Sequence, residues 1–187
     1  LSPHNPIETN PDLRWKVDAK GYPLGCDNLG QCILSRIIYG SRLSLIIGFA
    51  SRFVALIIGL VVGLTAGYFG GWIDWVLMRI VDMFLAFPSL LISLAISMIM
   101  GNGIGTVIFA IAIVGWAEMA RIIRSQALEL RSAEYVIAAK TLGASDLRVM
   151  LTHILPNCLP IITVIFTMGM ATAVLSEASL SFLGLGI

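Results

Sequence analysis

Hydrophobic residues in this sequence are gathered in long uncharged stretches separated by polar segments. The uncharged stretches are 53–73, 83–117 and 154–176, with 21, 35 and 23 residues. A membrane-spanning helix needs about 20 mostly apolar residues, so the first and third stretches fit one span each. The middle stretch is too long for one span and is divided at 101–103 into spans at about 75–100 and 104–124. The pattern predicts an all-α, polytopic membrane helical bundle with four spans.

Glycine and proline mark the breaks and contacts that we expect within these spans. The sequence Phe69-Gly70-Gly71-Trp72 predicts a turn, and Pro88 predicts a kink in the second span. Gly59, Gly63 and Gly67 recur every four residues on one helix face. Small residues at this spacing permit close helix approach in membranes, although glycine is also simply common in membrane helices. Both interpretations stay open at this point.

The N-terminal part, residues 1–42, is polar and rich in proline and glycine, which predicts a loop followed by a short helix at about 28–39. We expect it to lie outside the cytoplasm and residues 43–187 to form the membrane domain. Cys26 and Cys32 could pair in an oxidising compartment, or they could remain thiols.

Composition agrees with a bilayer-embedded protein and excludes several functions. The chain is 58% hydrophobic and 12% charged with a net charge of +1, against about 25% charged residues in soluble domains. The near-zero charge argues against a nucleic-acid binder, and the cysteine and histidine spacing does not fit a zinc site. The spans carry no central histidine and no HExxH motif, so we do not expect an enzyme.

A polar island at 121–160 separates the third and fourth spans and holds five of the twelve Lys and Arg residues. Counting Arg79, six cations lie on the island's side of the membrane, against Arg36, Arg42 and Arg52 on the other. We expect Arg52 to snorkel to the interface. Lys and Arg are enriched in cytoplasmic loops, so the island is predicted to be cytoplasmic.

Within the island the sequence predicts a helix, a glycine break and a second helix. Ser132 is expected to cap the first helix, Glu134 to lie in its first turn and Gly143 to end it. One face of that helix carries Tyr135, Ala138, Ala139 and Leu142. The second helix is expected to start at Ser145 and Asp146 and to carry Arg148. The residues alone allow either a connecting loop or a docking element.

Three acidic residues lie in or beside the spans, where ionisable groups are costly and are functional candidates. Asp82 and Glu118 each lie three residues from an arginine, Arg79 and Arg121, so intrahelical ion pairs are the structural alternative. Glu177 has no cation near it in sequence and is a candidate for the translocation path or for pairing across subunits.

Several stretches of the sequence carry a specific pattern. One is Ala138-Ala139-x-x-x-Gly143 followed by Ile154-Leu155-Pro156. The others are Leu24-Gly25-Cys26-Asp27-Asn28-Leu29-Gly30, Ala66-Gly67-Tyr68-Phe69-Gly70-Gly71, Met78-Arg79-x-x-Asp82 and Leu180-Ser181-Phe182-Leu183-Gly184-Leu185-Gly186. The first resembles the "EAA" loop of ABC importer permeases. Together the stretches resemble the dipeptide, oligopeptide and nickel permeases of this class, and more closely their second, or "C", subunit.

The resemblance implies a type I ABC importer permease in the cytoplasmic (inner) membrane. It implies a second permease subunit, two ATP-binding subunits that hold ATP and Mg, and an extracytoplasmic binding protein, with no cofactor on this chain. Coupling to the ATPase would involve the loop 125–153 and seven residues: Glu134, Tyr135, Ala138, Ala139, Gly143, Ser145 and Arg148. Glu177, Asp82 and Glu118 are the candidates for the translocation path. The expected cargo is a di- or oligopeptide; nickel or a metal chelate, and a channel or secondary transporter, are the alternatives.

Four positions depart from the family's pattern. Ile137 occupies the place of the usual Glu, with Glu134 one turn earlier. Cys26 replaces a Thr, and the usual Gly-Arg-Asp is Gly30-Gln31-Cys32. The family usually has a further span before residue 1 and after residue 187, so we expect this chain to be a fragment of a longer one.

Overall fold

Seven α-helices make up most of the computed structural model, which describes residues 2–17 and 21–186. They are α1 (Ile33–Phe69), α2 (Gly71–Ala86), α3 (Ser89–Met100), α4 (Ile104–Arg131), α5 (Glu134–Thr141), α6 (Asp146–Val149) and α7 (Leu155–Phe182). One turn of π-helix at Met150–Ile154 joins α6 to α7 in a continuous helical run. The chain divides into two compact units, Leu1–Ile46 and Ile47–Ile187. The division at residue 42 that the sequence suggested stays a prediction.

The first unit is a loop that leads into α1. A single turn of 3₁₀-helix at Pro11–Leu13 is followed by an antiparallel bridge between Cys26 and Cys32. The imidazole of His4 stacks on Tyr22 at 4.3 Å between ring centroids. The helix expected at 28–39 begins at Ile33 and continues as α1 without a break.

Three described helices are long and apolar enough to cross a membrane: α1, α4 and the run Asp146–Phe182. The second predicted span is divided into α2 and α3, whose axes differ by 84°. The break lies at Pro88, which has no N–H and holds Phe87 in an extended conformation (φ −99°, ψ 145°). The prediction of a kink therefore understated the bend, and the count is three spans, or four if α2 and α3 form one.

Close parallel packing of α1 on α4 organises the second unit. A Cβ atom added at Gly59, Gly63 or Gly67 would lie 2.6–2.8 Å from the nearest atom of α4, and the contacted residues advance from Met119 to Ala127. The face of α1 that carries these glycines is therefore in contact with α4, which confirms the interpretation that they permit close helix approach. Because the two helices run in the same direction, their C-terminal ends lie on the same side of the bundle.

Two details of the sequence interpretation are wrong. Arg52 does not snorkel to the interface, because α1 begins at Ile33 and places Arg52 about halfway along, only 7% exposed. Ser132 does not cap α5: it ends α4, where its hydroxyl donates to the Glu129 carbonyl at 2.8 Å, and Ala133 precedes α5. The glycine break is confirmed, since Gly143 has φ +84° directly after α5.

Candidate functional site

The end of α1 is bound to the polar segment by four residues that we call the Tyr68 cluster: Tyr68, Arg131, Lys140 and Asp146. The Tyr68 hydroxyl donates to Oδ1 of Asp146 at 2.5 Å, and Nη1 of Arg131 donates to the Tyr68 carbonyl at 2.9 Å. Nζ of Lys140 lies 3.5 Å from the same Asp146 oxygen and 4.4 Å from the centroid of the Tyr68 ring. This network joins α1, α4, α5 and α6 at one end of the bundle.

Charge and burial both hold the cluster together. The hydrogen bond with Tyr68 raises the pKa of Lys140, so its ammonium stays protonated at physiological pH. Beneath the cluster, Val136 of α5 and Val149 of α6 are fully buried in the same core as Leu64, Trp116 and Ile123. The face of α5 that packs against the core is therefore the one that carries Val136, and not the one that carries Tyr135 and Leu142.

The outer side of α5 carries an exposed, mainly apolar surface, which we call the α5 patch. A shallow depression is lined by Glu134, Ile137, Ala138, Thr141 and Leu142. Ile137 is 53% exposed and Leu142 is 88% exposed, outside the long apolar helices. Glu134 lies in the same depression as Ala138, whereas Ala139 is half-buried. Large apolar side chains exposed together mark an interaction surface.

The remaining predicted coupling residues lie around this patch. Tyr135 is 45% exposed, and its ring centroid is 6.4 Å from that of His153. Ser145 precedes α6 without a side-chain capping bond, and Arg148 is exposed in α6. Gly143 provides the turn between the two helices.

A second feature is a cavity of about 510 Å³ between the helices of the second unit, which we call the membrane cavity. Its polar lining comes from α1, α3, α4 and α7: Arg52, Ser89, Ser93, Glu118, Arg121, Thr172 and Ser176. Nε of Arg52 donates to the Gly169 carbonyl at 2.6 Å, and Nη2 donates to the Thr172 hydroxyl. Glu118, exposed and about halfway along α4, lines the same cavity.

The structure brings two of the three predicted pathway residues close to this cavity. Glu118 lines it directly, and Asp82 forms an ion pair with Arg121 at its edge. The prediction that Asp82 pairs with Arg79 in the same helix is wrong. The guanidinium of Arg79 instead lies over the Trp75 ring, 5.6 Å from its centroid. Likewise Arg121, expected beside Glu118, pairs with Asp82.

Glu177, the third candidate, is 8% exposed and is not part of the cavity lining. Its Oε1 accepts a hydrogen bond from the Ser181 hydroxyl at 3.1 Å.

Sequence reasoning missed Arg52 and the Tyr68 cluster as site residues. It also missed the ion pair of Arg124 with Asp74, in which Nη2 lies 2.6 Å from Oδ2 and which holds α2 against α4. A signal was present for Arg52, because residues 43–51 before it are uncharged and mostly apolar like the residues after it, and an arginine inside an apolar stretch is a candidate functional residue.

Comparison with known proteins gives a consistent result. Residues 41–187 match the family model described as binding-protein-dependent transport system inner membrane component. The dipeptide transport system permease protein DppC of Alkalihalophilus pseudofirmus is 45% identical over 179 residues, covering 96% of this chain and 59% of the relative. The oligopeptide transport system permease protein OppC of Bacillus subtilis is 42% identical, covering 92% of this chain and 56% of the relative.

A glutathione transport system permease protein, GsiD of Shigella dysenteriae, is 44% identical, with 87% of this chain and 54% of the relative covered. The chain thus spans somewhat more than half the length of the relatives it matches. The family match, the sequence identity to these permeases and the long apolar helices together place this chain in the inner membrane. The chain belongs to the family of binding-protein-dependent transport system inner membrane components.

Proposed function

We propose that this chain is part of the pore-forming permease subunit of an ATP-driven importer that carries di- and oligopeptides across the inner membrane. The observation that carries the proposal is the α5 patch. It is an apolar surface held rigidly at the end of a membrane bundle. The family membership and the printed names of the relatives, which refer to dipeptide, oligopeptide and glutathione transport, support the same conclusion.

The partner for the α5 patch is an ATP-binding subunit in the cytoplasm. Exposed Ile137 and Leu142 offer apolar area to a groove, while the small side chain of Ala138 lets the partner approach closely. Glu134 supplies a carboxylate at the patch, in place of the glutamate that is usual at the position of Ile137. In this proposal the partner binds ATP and Mg and hydrolyses the ATP, and we expect this chain to need no cofactor of its own.

The Tyr68 cluster provides the mechanical link for such coupling. A force applied to α5 reaches α1 through Lys140 and Asp146, which contact the Tyr68 side chain. It reaches α4 through the connection at 131–134 and the shared core around Val136. Helices joined in this way move as one body, which suits a rocking, alternating-access change.

The membrane cavity is the proposed translocation path. Three ionisable residues within or at the ends of the spans are exposed on this chain: Asp82, Glu118 and Arg121. In membrane proteins such side chains normally face the interior of a helical bundle or a water-filled cavity. A second, homologous permease subunit would cover them and complete the path. A peptide carries an ammonium group and a carboxylate, and the cavity offers Glu118 and Arg52 to them.

Reconstitution tests the proposal. The full-length protein is placed in proteoliposomes with its second permease subunit and ATP-binding subunits, and the binding protein is added outside. We expect ATP-dependent uptake of a labelled dipeptide that stops when the ATPase is inactivated. Uptake that does not need ATP would indicate a channel or secondary transporter, and ATP-driven uptake of nickel without peptide would overturn the proposed cargo.

A further inference from the structure

Cys26 and Cys32 lie opposite each other in two short antiparallel backbone segments. The hydrogen bonds that define the pair lie on both sides of them: Ile33 N–H donates to Gly25 at 3.2 Å, and Asp27 N–H donates to Gln31 at 3.0 Å. The two cysteines thus form a non-hydrogen-bonded pair, in which opposite Cα atoms lie about 4.5 Å apart. Disulfides join Cα atoms about 4.4–6.8 Å apart, so the spacing of such a pair lies within the range that a disulfide requires.

The turn between the two cysteines is held by side-chain contacts that fix this register. Asp27 Oδ1 accepts hydrogen bonds from the backbone N–H groups of Leu29 and Gln31, each at 2.9 Å. The other carboxylate oxygen of Asp27 forms an ion pair with Arg36 at the start of α1. Gly30 has φ +76° and lies against the backbone of Asn10, where a side chain would not fit.

Both thiols are also withdrawn from solvent. Cys26 is 4% exposed and Cys32 is 2% exposed. Burial, reinforced by the nearby Cys32 and Asp27, raises the pKa of the Cys26 thiol and lowers its thiolate fraction in the folded unit. Since the thiolate is the reactive species, oxidation would occur before the segment is fully buried, and the product would then be shielded.

We propose that Cys26 and Cys32 form an intramolecular disulfide in the membrane-inserted protein, made by an extracytoplasmic thiol–disulfide oxidoreductase. One cysteine thiolate attacks the disulfide of the oxidoreductase and forms a mixed disulfide. The second attacks that bond, so the two cysteines lose two electrons and two protons while the oxidoreductase becomes a dithiol. The location rests on the proposed function, which places residues 1–42 outside the cytoplasm, on the oxidising side of the membrane.

Thiol trapping on the full-length protein in its native membrane tests this. Intact cells are quenched in acid, and free thiols are alkylated under denaturing conditions before and after reduction. Trypsin cleavage after Lys20 and Arg36 releases residues 21–36, which contain both cysteines. We expect this peptide unalkylated and two hydrogen atoms lighter before reduction, and doubly alkylated after it.

Cys158, fully buried in α7, is the internal control and should be alkylated without reduction. In the Cys26→Ser protein, Cys32 should become alkylated without reduction as well. Doubly alkylated 21–36 from unreduced wild-type cells would overturn the proposal.

A second arm then separates the two possible causes. Because both thiols are buried in the folded unit, the purified protein is unfolded in SDS and refolded in mixed micelles that contain oxidised glutathione. If the bond forms only in this arm, the pairing geometry holds and the assumed side of the membrane, hence the proposed function, is at fault. If it forms in neither arm, the pairing itself is wrong.

Discussion

Replacing Gly63 by alanine should loosen the contact between α1 and α4. The added Cβ would lie 2.6 Å from the Ala120 carbonyl oxygen, 2.9 Å from Ile123 Cβ and 3.1 Å from Arg124 N. None of these atoms is the end of a flexible side chain, so the helices themselves must move apart. Overpacking of this kind costs about 1–3 kcal/mol.

Gly40→Ala is the matched control for this experiment. Gly40 lies in the same helix, and a Cβ added there meets nothing within 4 Å. Both substitutions gain the same helix propensity, roughly 0.5–1 kcal/mol in a helix interior. The difference between the two variants therefore isolates the overpacking, and we expect Gly63→Ala to be less stable than Gly40→Ala by about 1–3 kcal/mol.

The assay is reversible unfolding of the purified protein by SDS titration in mixed micelles, followed by tryptophan fluorescence. Trp116 is a suitable reporter because it is buried in the α4 surface that contacts Gly59. Equal free energies of unfolding for the two variants would refute the close parallel packing of α1 on α4.

Three further predictions concern the membrane cavity, the Tyr68 cluster and the turn between Cys26 and Cys32. Glu118→Gln should lower peptide uptake without loss of assembly, whereas Glu129→Gln, an exposed site on the same helix, should not; equal uptake by both would remove Glu118 from the path. Tyr68→Phe loses the hydrogen bond to Asp146 and should lower the number of peptides carried per ATP hydrolysed; an unchanged ratio would contradict the proposed link. Hydrogen bonds from the Gln31 and Leu29 backbone, together with Arg36, lower the pKa of Asp27. Stability of the turn is thus present above the ordinary Asp pKa of about 3.9 and lost as pH falls through the lowered value. Hydrogen exchange of the Gln31 amide should accelerate in that range relative to the Asp27→Asn protein.

Local features of the fold were predictable because their causes are local. The turn at Gly70, the hairpin at 101–103 and the break at Gly143 follow from glycine in left-handed or otherwise restricted conformations. The severity of the bend at Pro88 was not predictable, since proline ends a helix but its neighbours decide the new direction.

Contacts between helices were not predictable from a single sequence. Asp82 had a suitable partner three residues away in Arg79, yet it pairs with Arg121, which is 39 residues away. Tyr68 and Asp146 are 78 residues apart, and Arg52 and Gly169 are 117 apart. Such pairs depend on which helix faces meet, and the spacing of charges along one helix carries no information about that.

The helix α5 was predicted in position but not in orientation. The pattern placed α5 correctly and suggested that Tyr135, Ala138, Ala139 and Leu142 share a face. Burial of Val136 alone decides which side is free, because it fixes α5 against the core of α1 and α4.

Docking of α5 on an ATP-binding subunit is the central claim, and crosslinking from Ala138 tests it most directly. A photoreactive phenylalanine analogue is placed at Ala138 in the assembled, ATP-hydrolysing complex and, as a control, at Met168, which is 68% exposed on α7. We expect an adduct with the ATP-binding subunit from position 138 and none from position 168. An intact, active complex that gives no such adduct from position 138 would contradict the account.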